Sequence, residues 1–249
     1  EIINPQNQIG NVETPNTLNN LINKLNFLIS KQLTYNIIQA GTKSRSITYS
    51  PCLMDVIGDD LVILADLSNI PTVTIAITDV GFTQDKATAS ITLAHTVDVK
   101  GTEASTDDIE IISDRSSKFY IVYFASDLEN TPLVIEEFTV GSDYSVSKTD
   151  EIVTNVYRNS ENKEAIPGGA YISGKLYVAL VNEKTGVSII NLSTESQESF
   201  YVIDVNYFRG DGEYLYDFTS GGTTTYKYDD SLRVVATLTS VGNAVTTIS

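Results

Sequence analysis

The chain has 249 residues, 41% of them hydrophobic, and carries 16 Lys and Arg against 32 Asp and Glu for a net charge of −16. That length supports one large core or two smaller ones, while the carboxylate excess excludes nucleic acid and disfavours anionic membrane surfaces, both of which are bound through Lys and Arg. A single cysteine, Cys52, excludes an intrachain disulfide, and with a single histidine, His95, the usual zinc sites and Cys-His or Ser-His catalysts are excluded too.

No apolar run approaches the roughly 20 residues of a membrane span, and the chain opens on Glu1 rather than Met, as a processed or trimmed chain does. Residues 1–13 are polar and Asn/Gln-rich, and they read as an arm. Thr14-Pro15 then starts a helix, since Thr caps free amides and Pro is favoured at the first helical position. Leu18, Leu21, Leu25 and Leu28 follow at spacings of 3, 4 and 3, with Ile22 and Ile29 beside them. This stripe has a heptad-like step. Asn19, Asn20, Asn23 and Asn26 fill much of the other side, and Asn is a poor helix former. The helix therefore needs a partner, either the β domain or a second copy in a short stalk. Residues 1–42 are assigned to this docking or oligomerisation device and 43–249 to a β domain.

From residue 51 onward the pattern is of short strands between Gly, Asp and Ser turns, which is antiparallel rather than βαβ. The first set is expected over 53–57, 61–64, 72–78 and 87–97, with a turn at Gly58-Asp59-Asp60. The second covers 109–112, 119–124, 133–140 and 151–157. The third covers 170–172, 176–181 and 187–192, with no evident fourth strand. The fourth runs over 201–238, turning at Asp211-Gly212, Gly221-Gly222 and Asp229–Ser231. Leu61, Phe119, Leu176 and Tyr214 align just after the first turn of each set, 58, 57 and 38 residues apart. A constant inner pattern with variable loops, at up to four strands per unit, points to propeller blades.

Phe208-x-x-Asp211-Gly212-x-Tyr214-Leu215-Tyr216, followed by Thr225-Tyr226-x-Tyr228-Asp229, resembles the repeats of YVTN-type and quinoprotein-like β-propellers, and Ile172–Val178 is similar to a second, partial copy. The absence of Trp departs from the WD40 pattern. The expected fold is all-β: a small β-propeller of four blades, or five if two sets are merged, preceded by an N-terminal α-helix. A β-sandwich is the alternative that the same short strands allow.

Propellers commonly act at the central channel. Acidic residues near the first strands are Asp55, Asp108, Glu110, Asp114 and Asp204, of which Asp55, Asp114 and Asp204 are taken as candidate channel carboxylates. In a propeller glycosidase two such groups would serve as acid and as nucleophile or base. Arg209-Gly210-Asp211 spells a cell-attachment tripeptide, but it falls where a blade needs a tight turn. Asn191-Leu192-Ser193 is a glycosylation sequon. The acidic turns at 58–60, 105–108 and 228–230 offer oxygen ligands to Ca²⁺ without a full binding-loop pattern, so no metal and no cofactor is expected. His95 alternates with Ile91, Leu93 and Val97 and reads as a satisfied, partly buried histidine, and Cys52 as a small buried residue.

With no catalytic set evident, the expected function is that of a non-enzymatic surface or virion structural protein, extracellular or on a particle surface. Its propeller head would attach to a cell-surface receptor or glycan, and its partners would be copies of itself or other particle proteins. The overall layout is similar to that of viral structural and adhesion proteins. The alternative is a carbohydrate-active propeller enzyme using channel carboxylates, and a third reading is an intracellular scaffold.

Overall fold

Runs of β-branched and aromatic residues, broken by turn-forming Gly, Asp and Ser, fold as sixteen strands among the described residues. The computed structural model describes residues 52–80, 85–95, 109–125, 130–158, 165–181, 185–218 and 224–239. The arm and stripe of 1–42, Asp108, the Gly221-Gly222 turn and the side chain of Cys52 lie outside the description.

The strands are β1 (Cys52–Ile57), β2 (Leu61–Asn69), β3 (Thr72–Asp79), β4 (Asp85–Thr92), β5 (Ile109–Ser113), β6 (Lys118–Phe124), β7 (Pro132–Val140) and β8 (Val146–Tyr157). They continue as β9 (Ala165–Ile172), β10 (Lys175–Val181), β11 (Gly186–Asn191), β12 (Ser196–Val202), β13 (Phe208–Gly210), β14 (Leu215–Phe218), β15 (Thr224–Tyr228) and β16 (Val234–Thr239). Each consecutive four make an antiparallel meander. The first two meanders are separate four-stranded sheets. The last two join through one parallel contact, Phe208 beside Gly168, into an eight-stranded sheet ordered β12-β11-β10-β9-β13-β14-β15-β16. The first strands neighbour one another in sequence, β1 with β5, β5 with β9 and β9 with β13. This is a propeller-like all-β fold of stacked four-stranded units.

Side-chain alternation explains the stacking. In β6, Phe119, Ile121 and Tyr123 join the layer shared with the first meander, where Ile63, Val73 and Ile75 meet them. Tyr120, Val122 and Phe124, pointing the other way, join the layer shared with the third meander, against Leu176, Val178 and Ile190. A strand buried on both faces needs a continuous apolar run, and FYIVYF supplies it. Phe119 stacks on Phe138 at 5.1 Å between ring centroids, and Tyr120 on Tyr171 at 5.9 Å. Tyr177, Ala179 and Val187 meet Phe208, Leu215 and Tyr228 in the third layer. Each such side chain contributes about 1.5–3 kcal/mol of burial.

One irregularity recurs in all four units. Where the third strand pairs with the fourth, the register slips by one residue, leaving Lys86, Thr149, Glu198 and Val235 as the extra residue in turn. These are β-bulges, which bend the outer strand and raise its twist.

Three expected boundaries move. The third set does have a fourth strand, Ser196–Val202, whose polar first half hides it from an apolar pattern. The first strand of the fourth set is only Phe208–Gly210, so Arg209 and Gly210 are strand residues rather than turn residues, and the turn proper runs from Asp211, whose N–H donates to Tyr214 O at 3.1 Å. β4 stops at Thr92, because Leu93 N–H turns back to Pro71 O at 2.9 Å and Ala94 N–H goes to Glu136.

Candidate functional site

The first strands of the units bring two carboxylates and two guanidinium groups together. Asp55 lies mid-strand on β1. Its Oδ1 accepts the N–H of Val56 at 2.7 Å, and its Oδ2 accepts the N–H of Ser113, on β5, also at 2.7 Å. Ser113 returns the contact, its hydroxyl donating to Val56 O. Glu110, on β5, is only 2% exposed. Its Oε1 accepts Ile111 N–H at 3.0 Å, and its Oε2 accepts Arg209 Nη1 from β13 at 2.9 Å. Arg115, in the β5–β6 turn, donates Nη2 to Gly210 O at 2.7 Å. Units one, two and four are thus cross-bonded through side chains of β1, β5 and β13.

Close approach is made possible by β9. A Cβ on Gly168 would lie 2.0 Å from Phe208 O and 2.2 Å from Arg209 Nη1, and one on Gly169 would lie 2.2 Å from Ile112 Cδ1. Only glycine leaves room there for the Arg209 fork and the parallel pairing.

Burial sets the electrostatics. Desolvation pushes the Glu110 carboxyl up to about 7, against the opposing pull of Arg209 and the Ile111 amide, with the Asp55 charge adding to the rise. Desolvation also raises Asp55, countered by the Ser113 and Val56 amides and by Arg115 and Arg209. A carboxyl near 7 beside a second carboxylate is the electrostatic pattern of an acid–base pair. In this case, however, both oxygens of each carboxylate already accept bonds from the chain itself.

The other candidates lie elsewhere. Asp114 caps the β5–β6 turn, its Oδ1 accepting the N–H groups of Ser116 at 2.8 Å and Lys118 at 2.9 Å. Asp204 is exposed on the β12–β13 connector. A different carboxylate holds that connector: Asp217, fully buried on β14, accepts the N–H groups of Asn206 at 2.9 Å and Tyr207 at 3.3 Å. Burial raises its carboxyl. In the tripeptide at 209–211, Arg209 is bound to Glu110, and Asp211 accepts the N–H groups of Glu213 and Tyr214 and the hydroxyl of Tyr216. Asn191 of the sequon accepts Ser193 N–H at 2.9 Å and donates to Glu198 at 2.6 Å.

A second polar cluster fastens the end of unit one to unit two. Fully buried Glu136 accepts the Tyr123 hydroxyl at 2.5 Å and Ala94 N–H at 2.8 Å, and lies 2.8 Å from Lys148 Nζ. Lys148 also reaches Glu151 at 2.6 Å, and Glu151 meets His95 Nε2 at 2.9 Å. His95 is therefore the satisfied, half-buried histidine expected, paired with Glu151 just beyond the end of β4. Among the described residues no group of three or more His, Cys, Asp or Glu is placed to hold a metal ion, and no helix is long and apolar enough to cross a membrane.

Arg115 and Ser113 escape sequence reasoning, and Arg209 is noticed only as part of a turn tripeptide, because a search for carboxylates gives no reason to pair Glu110 with a basic residue 99 positions away. No family model matches the chain, and no curated protein matches it. Solved structures similar to it include the glutaminyl cyclase of Myxococcus xanthus, with a TM-score of 0.48 at 9% identity over 76% of this chain and 71% of that one. Another is U3-55K, with a TM-score of 0.47 at 11% identity over 78% of this chain and 52% of that one, so the chain spans about half of its length.

Proposed function

We propose that the chain is a non-enzymatic surface or virion structural protein, in which a four-bladed β-propeller head, carried on the N-terminal helix, binds a receptor or glycan. The observation that carries this reading is the end of β12, where Phe200, Tyr201 and Val202 stand exposed in succession at 37, 41 and 69%. Three consecutive exposed apolar side chains are unusual on a solvated strand and favour a contact surface there. Two of them are aromatic, a type enriched at binding anchors and able to stack on sugar rings. The central carboxylates support the same reading, since their oxygens are already bonded within the fold. The test is binding to a glycan array and to cell surfaces by the full chain and by Phe200→Ala/Tyr201→Ala. The expected result is at least tenfold weaker binding with an unchanged circular dichroism spectrum. Binding that ignores both substitutions, or no binding at all, refutes the reading.

One observation favours a second reading, a carbohydrate-active enzyme: the Glu110 carboxyl near 7 with Asp55 beside it is suited to general acid catalysis with a carboxylate partner. Release of chromophore from aryl glycosides that is lost in both Asp55→Asn and Glu110→Gln, with folding intact, would establish it in place of the first.

A further inference from the structure

We infer that β14 and the β12–β13 connector form a binding site for a divalent cation, Ca²⁺ by its chemistry, with Asp217 as the buried ligand and Asp204 and Asn206 as the further oxygen donors. Asp217 lies on β14 and is 0% exposed. Its Oδ1 accepts two backbone bonds from the connector, Asn206 N–H at 2.9 Å and Tyr207 N–H at 3.3 Å. Its Oδ2 is buried as well and accepts no hydrogen bond from any described residue. An unmet carboxylate oxygen away from water is costly, more so than a neutral acceptor.

The other buried carboxylates each have a cation from the chain. Glu110 has Arg209 at 2.9 Å, and Glu136 has Lys148 at 2.8 Å. Asp217 has no Lys, Arg or His partner among the described residues. What it has instead is a second negative charge. Desolvation raises the Asp217 carboxyl against the pull of the Asn206 and Tyr207 amides, and the charge of Asp204 raises it further. Two carboxylates close enough to repel, one of them buried with an oxygen unspent, are the arrangement that a bound cation resolves.

The donor set selects the ion. Two carboxylates balance a charge of two, and every donor is an oxygen, which suits a hard cation. Asp204-x-Asn206 places a carboxylate and an amide two residues apart on an irregular segment, the spacing with which calcium loops open. Ca²⁺ accepts such flexible coordination and completes its shell with carbonyl oxygens and water, whereas Mg²⁺ demands a near-ideal octahedron. Two carboxylates and an amide make a modest site, so the expected dissociation constant is that of extracellular modules, about 10⁻⁴–10⁻³ M.

The test is an amide chemical-shift titration of the full chain, freed of metal by chelation, with Ca²⁺ at neutral pH. Near-physiological salt suppresses loose ion binding by the acidic surface. The Asn206 and Tyr207 amide signals report the site directly, because both N–H groups are bonded to Asp217. They should move and saturate in wild type and in the control Asp59→Asn/Asp60→Asn, which removes two exposed carboxylates of the β1–β2 turn. In Asp217→Asn and Asp204→Asn the same shifts should need at least tenfold more Ca²⁺, with circular dichroism unchanged. Asn at 217 keeps an oxygen for the connector amides, and Asp204, being exposed, carries the test should that variant fail to fold. Signals that do not saturate in wild type would mean that Oδ2 is met by water or a proton, and overturn the inference. Saturation that both variants leave intact would mean that ions are held by surface charge alone, and overturns it equally.

Discussion

Replacing Glu110 by Gln keeps one acceptor oxygen, for Ile111 N–H or for Arg209 but not for both, and removes the buried ionisable group. The lost bond costs the same at every pH and drops out of the comparison of profiles. In the folded chain this carboxyl sits at about 7 against an ordinary 4.5, so between those values the folded state holds a proton that the unfolded state has released. Stability from this group is therefore fully present below about pH 4.5 and is lost as pH rises through about 7. A one-proton difference changes stability by about 1.4 kcal/mol per pH unit, so integrating from pH 5 to pH 7 gives a loss of about 2 kcal/mol. Urea unfolding of wild type and Glu110→Gln at pH 5, 6, 7 and 8 measures it, with the variant cancelling the contribution of the many other carboxylates. Wild-type stability relative to the variant should fall by about 2 kcal/mol from pH 5 to 7 and change little above 8. Parallel profiles would show that burial does not govern Glu110. A difference rising with pH would show that Arg209 dominates and that the carboxyl is depressed.

Two other substitutions probe the same centre. Arg209→Met leaves Glu110 without its guanidinium, so thermal unfolding should show a loss of about 3 kcal/mol at pH 8, where the carboxylate is charged, and a clearly smaller one at pH 5; an equal loss at both would mean that packing alone is at stake. Gly168→Ala sets a methyl group against Phe208 O, and the loss should exceed the about 1–3 kcal/mol of ordinary overpacking; hydrogen exchange should then show β13–β16 opening first, and an unchanged melting temperature would disprove the close approach.

Much of the architecture is legible because strands buried on both faces leave unbroken apolar runs. FYIVYF at 119–124 and LYVALV at 176–181 mark β6 and β10 without help from neighbours. β12 is not legible, since Ser196, Gln197 and Glu198 face other units or solvent and carry no apolar period. β13 is too short to have a period at all. The site follows the same division. Asp55 is readable as a polar residue in an apolar first strand, but its bonds to Ser113 depend on which strands become neighbours. Arg209 looks like part of a turn signal because Gly210-Asp211 follows it, and only the pairing of β13 with β14 turns it toward Glu110.

The single parallel contact between Phe208 and Gly168 makes rigidity uneven along the chain. From β12 to β16 the strands form one sheet, but its third and fourth units meet at this one bridge alone, so the continuous hydrogen-bonded ladders lie within each meander and the bridge is where the two would part. The first and second units meet their neighbours through side-chain layers and isolated bonds such as Asp55 to Ser113. Such seams allow small shear displacements without breaking a ladder. Thermal motion should therefore be smaller within each four-stranded meander than at the seams between meanders.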